Sequence, residues 1–265
     1  MSSNQNGLIE PHPTRIDLWF TFPEEIHDTT LLHRYRLLLS EEESRREARF
    51  SFKKDRHRFL ITRALVRTVL SRYAPVTPER WQFSTTPYGK PCIANDILLT
   101  SVLSFNVSHT QGLIVLGVTR DMDLGIDAEM VRVRQAPLDA VNAYFSSEEK
   151  SAIALMPPQR QQERFFQYWT LKESYLKARG AGLSIPLDKF SFHFPAPDGV
   201  RLSTHAELND EPSRWRFWQL RPTPHHLTAV CAERYDLGIQ QLVARKVIPF
   251  QQEDIFNCTA FRESE

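Results

Sequence analysis

Three kinds of feature are scarce in this 265-residue chain or missing from it. Cysteine is the first: Cys92, Cys231 and Cys258 are odd in number, far apart and never in a CxxC pair. That pattern argues against a disulfide framework or a thiolate metal site, and suits a reducing compartment. Long apolar runs are the second. Nothing approaches the roughly 20 residues a membrane-spanning helix needs, and residues 1–13 are polar, without the apolar stretch of a secretory leader. No membrane partner is expected, and the cytoplasm is the expected location. The third is a surplus of one charge. Lys and Arg number 33 against 32 Asp and Glu, a formal net charge of +1, which counts against bulk attraction to nucleic acid or membrane. Any electrostatics that matter must be local.

What is present is an ordinary globular composition, 41% hydrophobic and 25% charged, in a chain long enough for one large domain or two small ones. Residues 1–13 read as a disordered lead. Ile16–Phe20 alternates and is a first strand candidate. Ser40 before Glu41-Glu42-Glu43 reads as a helix N-cap with acids in the first turn. From Arg45 to Arg72 the chain is rich in arginine and lysine, with a helical apolar pattern through Phe59, Leu60, Leu65, Val66, Val69 and Leu70. The basic side chains are either a solvated helix face or a patch for phosphates. Trp81–Ser84 reads as a strand and Pro87-Tyr88-Gly89-Lys90-Pro91 as a turn presenting one lysine. Leu103–Val107 and Leu113–Val118 read as strands joined by Ser108-His109-Thr110-Gln111-Gly112.

Two stretches carry the chemistry. In Leu124-Gly125-Ile126-Asp127-Ala128-Glu129, alternation sends Leu124, Ile126 and Ala128 to one face and both carboxylates to the other. Two acids at i and i+2 repel unless a cation lies between them, although a half-exposed strand alternates in the same way. Hard oxygen ligands without paired Cys or His would favour Mg²⁺ over Zn²⁺. In Trp169–Lys177, helical phase puts Phe165, Trp169 and Leu176 on one apolar face with Phe166 at its edge, and Glu173 inside that arc. A carboxylate among aromatics is costly unless a cation or donor meets it. Lys177 lies one turn on. Either the two form an ion pair at a core edge, or Glu173 binds a metal and Lys177 reaches the same ligand. Gly180-Ala181-Gly182 ends the helix. His225-His226 has no partner at ligand spacing.

The chain also repeats itself loosely. Phe145-Ser146-Ser147-Glu148-Glu149 echoes Leu39-Ser40-Glu41-Glu42-Glu43, and Glu163-Arg164-Phe165-Phe166 echoes His57-Arg58-Phe59-Leu60. Each echo opens a long amphipathic helix followed by a strand candidate, Trp81–Ser84 or Phe190–Phe194. Trp215–Leu220 and Leu227–Ala232 supply further strands. The expected architecture is α+β, a pseudo-two-fold pair of similar halves with helices on an antiparallel sheet and a site at their interface. The expected divisions are a lead at 1–13, halves at 14–132 and 133–248, and a polar, peripheral tail at 249–265, with Met130–Pro137 crossing between the halves.

Four motifs in order then resemble a known family, the 4′-phosphopantetheinyl transferases of the surfactin-synthetase-activating type, over roughly residues 35–235. They are Tyr88-Gly89-Lys90-Pro91, Phe105-Asn106-Val107-Ser108-His109, Gly125-Ile126-Asp127-Ala128-Glu129, and Trp169 through Lys177 with Gly180 and Gly182. Ser184-Ile185-Pro186-Leu187 follows as is usual there. Ala128 stands where Val or Ile is commoner. The resemblance implies transfer of the phosphopantetheine arm of coenzyme A to a serine of an apo acyl- or peptidyl-carrier protein, releasing 3′,5′-ADP. It implies Mg²⁺ on Asp127, Glu129 and Glu173. Lys177 and Lys90 would touch phosphate or nucleotide, and Arg46, Ser108 and His109 would surround the 3′-phosphate, with Asn106 in the same motif. Glu173 and Lys177 are the expected catalytic pair, in a protein expected to act as a monomer. Two other readings stand beside this one: another Mg²⁺-dependent enzyme on a nucleotide pyrophosphate, and a nucleic-acid-binding module using Arg45–Arg72. A family member that only binds carriers is disfavoured by the intact acids and Lys177.

Overall fold

A computed structural model describes residues 7–96, 102–131, 141–235 and 238–264. In chain order its elements are β1 (Arg15–Thr21), α1 (Thr29–Arg36), α2 (Glu41–Arg49), α3 (Lys53–Leu70), β2 (Phe83–Thr85), β3 (Pro91–Ile93), β4 (Leu103–Thr110), β5 (Leu113–Arg120) and β6 (Leu124–Met130). There follow α4 (Val141–Tyr144), α5 (Ser147–Ala154), α6 (Pro158–Arg179), β7 (Phe190–His193), β8 (Arg201–Thr204), β9 (Trp215–Thr223), β10 (His226–Glu233), β11 (Gln241–Ile248), β12 (Gln252–Ile255) and β13 (Ala260–Glu263). The fold is α+β, as the sequence led us to expect.

Two sheets dominate, with strand orders β12-β11-β1-β5-β4 and β13-β9-β10-β6. Alternation decides how they stack. Ile16, Leu18 and Phe20 of β1 and Leu113 and Val115 of β5 meet Leu124, Ile126 and Ala128 of β6, Leu220 of β9 and Val230 of β10 in one core between the sheets. The intervening residues of β5, Ile114, Leu116 and Val118, turn outward to Leu60, Leu65 and Val69 of α3. On the far side, Phe217, Leu227, Ala229 and Cys231 pack with Phe165, Leu171 and Tyr175 of α6. The layers are therefore helix, sheet, sheet, helix.

Helix starts were legible in the sequence. Ser40 caps α2 in a reciprocal capping box with Glu43, and Ser146 caps α5 in the same way with Glu149. In each box the glutamate also meets a cation on the next long helix: Glu43 pairs with Arg63 and Arg67 of α3, and Glu149 with Lys172 of α6 at 2.8 Å. Helix α6 ends at Gly180 in the left-handed conformation, φ +62°.

Sheet membership crosses the expected division at 132/133 in both directions. Strand β6 belongs to the second sheet, antiparallel to β10, while β11 and β12 return to the first. Strand β11 runs parallel to β1 from Arg15↔Gln241 to Phe20↔Lys246, a pairing absent from an all-antiparallel expectation. The chain reaches β1 from another sheet rather than by a hairpin, so nothing imposes antiparallel order. Residues 252–255 and 260–263, expected as a peripheral tail, are edge strands of the two sheets. Within the expected lead, Ile9 packs on the first core and its N–H donates to the Arg72 carbonyl at 2.6 Å. Of Met130–Pro137, residues 132–137 lie outside the described residues.

Candidate functional site

The site forms where α6 lies on β6. Gly125 makes this approach possible: a Cβ there would stand 2.0 Å from the Ser174 carbonyl oxygen and 2.3 Å from the Ala178 nitrogen. With the helix backbone seated on the strand, the next side chain on that face, Asp127, reaches Lys177. Lys177 Nζ stands 2.7 Å from Asp127 Oδ1 and 3.1 Å from Ser108 Oγ, and Ser108 Oγ is 3.3 Å from the same carboxylate oxygen. Asp127 is only 6% exposed. Its pairing with Lys177 joins strand to helix, so the ammonium turns across to β6 rather than along the helix to Glu173.

Glu173 is half-buried one turn before Lys177. Burial pushes its carboxyl above the usual range, the nearby Asp127 charge pushes it further, and Lys177 offsets part of this. Glu129 follows Asp127 by two residues on the same face of β6. Glu173, Lys177, Lys90 and Asn106 line one cavity of about 210 Å³ together with Tyr88, Val107, Leu176, Gly180 and Gly182. The loop expected to present Lys90 therefore does face the helix that carries Glu173.

Not every expected residue is free to meet a ligand. Lys90 Nζ donates to the carbonyls of Leu124 and Ala178, both at 3.1 Å, which ties its turn to β6 and to the end of α6. Burial holds this ammonium below the usual lysine range. Asn106 accepts from the Ile126 N–H at 2.8 Å. Ser108 and His109, adjacent on β4, point to opposite faces. Ser108 faces β6, whereas the His109 ring reaches solvent on the side of α3. The packing around that ring and then Arg58, with Lys177 behind it, hold the imidazole below its usual value. Arg46 is exposed on α2, its guanidinium 5.5 Å from the centre of the Phe59 ring. The arginine whose charge His109 feels most is Arg58. Sequence reasoning placed Arg58 within the basic stretch without distinguishing it, because the helix phase relative to β4 is a tertiary quantity.

Whether Asp127, Glu129 and Glu173 suit a hard divalent cation can be judged from the donors. Asp127 Oδ2 is buried with no hydrogen-bond partner. A second carboxyl, Glu173, is near enough to feel the Asp127 charge. Orphaned carboxylate oxygen and carboxyl crowding are both relieved by a cation such as Mg²⁺, so the residues fit one. As they stand, no three His, Cys, Asp or Glu side chains among the described residues converge closely enough to hold a metal ion. Asp127 takes its counter-charge from Lys177. His226, set aside as a ligand, is buried, with Nδ1 2.7 Å from Thr223 Oγ1 and Nε2 2.8 Å from the Gln111 carbonyl oxygen.

Similarity to known proteins reaches into both sheets. Residues 27–120 match the family model described as 4′-phosphopantetheinyl transferase, N-terminal, and residues 123–231 that of the 4′-phosphopantetheinyl transferase superfamily. The two matches meet at the turn before β6. The 4′-phosphopantetheinyl transferase Sfp of Bacillus subtilis is 33% identical over 203 residues, 77% of this chain and 86% of the relative. The 4′-phosphopantetheinyl transferase HetI of a Nostoc species is 32% identical over 192 residues, 72% and 77% respectively. A solved holo-[acyl-carrier-protein] synthase from Thermotoga maritima overlaps 42% of this chain and 62% of its own at TM-score 0.35 and 18% identity, too slight an overlap to argue from.

Proposed function

This chain belongs to the 4′-phosphopantetheinyl transferase superfamily, and from that premise we propose that it transfers the phosphopantetheine arm of coenzyme A to a serine of an apo acyl- or peptidyl-carrier protein, releasing 3′,5′-ADP. The observation that carries this reading is the meeting of Asp127, Lys177 and Ser108 beside Glu173, at a cavity that Lys90 and Asn106 also line. We place the cavity at the interface of two related α+β halves, a reading supported by the twin capping boxes at Ser40 and Ser146.

In the reaction, the serine oxygen bonds to the phosphorus next to pantetheine and the bond from that phosphorus to the 3′,5′-ADP oxygen breaks. The hydroxyl proton goes to Glu173, directly or through water. The place of Glu173 beside Lys177 at the cavity suits it to that task. Lys177 balances negative charge on the departing nucleotide phosphate. Asp127, Glu129 and Glu173 would hold Mg²⁺, which supplies charge neutralisation on the pyrophosphate. His109, with Arg46, is assigned to the 3′-phosphate, while the Ser108 hydroxyl stays with Asp127 and Lys177 on the other face of β4. The depressed pKa of His109 leaves it neutral at pH 7, ready to gain a proton as a phosphate dianion binds. 3′-Dephospho-coenzyme A should therefore bind more weakly than coenzyme A, and His109→Ala should shrink the difference. Equal weakening of both ligands removes His109 from that role.

The direct test is intact-mass analysis of a panel of apo-carriers incubated with the protein and coenzyme A, with Mg²⁺ or with EDTA. A phosphopantetheine mass increment on at least one carrier, dependent on the cation, is expected. No increment on any carrier defeats the reading, and full turnover in EDTA removes the cation from it.

A further inference from the structure

The two sheets meet edge to edge at β4 and β6, and no backbone ladder joins them there. Strand β6 uses one edge to pair with β10. The N–H groups along its other edge would be buried without partners, a costly state. Instead Asn106 Oδ1 accepts from the Ile126 N–H at 2.8 Å, Ser108 Oγ from the Ala128 N–H at 3.2 Å, and Thr110 Oγ1 from the Met130 N–H at 3.2 Å. Three polar side chains at i, i+2 and i+4 of β4 thus stand in for a neighbouring strand along β6 from Ile126 to Met130. On β1 and β5 the same inward face is apolar. The switch to Asn, Ser and Thr coincides with the edge that needs acceptors.

The register of this seam matters for the acids. Ile126 and Ala128 flank Asp127, and Ala128 and Met130 flank Glu129. Each carboxylate is thereby held between two tethered peptide groups. We propose that Asn106, Ser108 and Thr110 form a seam that positions the acidic face of β6, and that Thr110, to which the sequence assigned no role, is the positioning residue for Glu129. The inference rests on the transferase reading above only for its consequence in catalysis; the seam itself is independent of that reading. On this view Asn106 acts first through the strand it holds. Ser108 has two tasks, because its hydroxyl also meets Lys177 and Asp127.

Thr110→Val tests this best, being close in shape and lacking the acceptor, with Thr110→Ser as the rescue that restores it. Hydrogen exchange at the Met130 amide should speed up by a few-fold to about tenfold in the valine variant, the worth of one net hydrogen bond. It should return to the wild-type rate in the serine variant. In carrier loading, kcat should fall several-fold with KM for coenzyme A nearly unchanged, again restored by serine. Should the valine variant melt early, Thr110→Ala removes the same acceptor without crowding and is judged by the same criteria. Unchanged exchange at Met130 overturns the seam. Freed exchange with unchanged kcat overturns the positioning role and leaves a purely structural bond. If the wild-type protein loads no carrier, the transferase reading fails on its own, while exchange at Met130 still decides whether the seam exists.

Discussion

Glu173 sits under opposing demands. Burial and the Asp127 charge favour its protonated form, while Lys177 favours the ionised one. Because its folded pKa lies above the unfolded value, the folded state holds its proton longer. Its contribution to stability is therefore largest below the ordinary carboxylate range and is lost as pH rises through the raised one. Glu173→Gln keeps the volume and removes the titration. Denaturant midpoints compared from about pH 4 to neutrality should show the variant gaining on wild type as pH rises, with no cation added. Carrier loading by the variant should fall by orders of magnitude. Near-normal turnover would make Glu173 a structural residue and end the general-base assignment. A second buried carboxyl, Glu149, has a different fate. Lys172 sits 2.8 Å from it and also donates to the Leu187 and Phe190 carbonyls at 2.6 and 2.7 Å, all out of solvent. The lysine just before Glu173 is thus committed to holding α5, α6 and β7 together.

At the scale of elements, the decisive contact is between β6 and α6. The Asp127–Lys177 pair exists because Gly125 lets the helix backbone touch the strand. Gly125→Ala places a methyl where the Ser174 carbonyl and the Ala178 nitrogen already are, so the helix must lift. Overpacking of this kind costs about 1–3 kcal/mol. Lifting α6 also moves Lys177 away from Asp127. Activity should therefore fall much further than thermal stability does. A variant with a lowered melting temperature but wild-type kcat would show that the helix–strand spacing is not what aligns the site.

For the whole molecule, β11 ties the two ends of the chain together. Its Arg245 reaches Asp17 of β1 at 2.5 Å, where Asp17 is 2% exposed, and the Val247 carbonyl accepts from Thr21 Oγ1 at 2.9 Å. Just beyond it, the Pro249 carbonyl accepts from Tyr35 at 2.9 Å. Ending the chain at Tyr235 leaves Asp17 without Arg245 and bares the β1 edge. Asp17 keeps Arg15 at 3.0 Å, so the larger loss is the strand pairing itself, and an open central strand invites aggregation. Ending it at Phe250 keeps β11 and should be milder. Soluble yield and thermal melting of the two truncations check this, and equal behaviour would mean that the parallel pairing carries little of the stability.

What was local was legible in the sequence. Ser40 and Ser146 announce helix starts because a capping box is closed by residues three apart. The face of β6 that carries Asp127 and Glu129 follows from alternation alone, and the ordered motifs carried the family. Other features depend on contacts between residues far apart in the chain. Neither the parallel return of β11 to β1 nor the transfer of β6 to the second sheet has a periodicity to betray it. Lys90 looked free because its carbonyl partners are 34 and 88 residues away. Asn106 read as one residue of a strand ending at Val107, and Ser108 and Thr110 as part of the connection after it, whereas β4 runs on to Thr110. Only the packing of the sheets shows them facing the unpaired N–H groups of β6, since a strand edge left over after folding is a property of the assembled sheets and not of any segment.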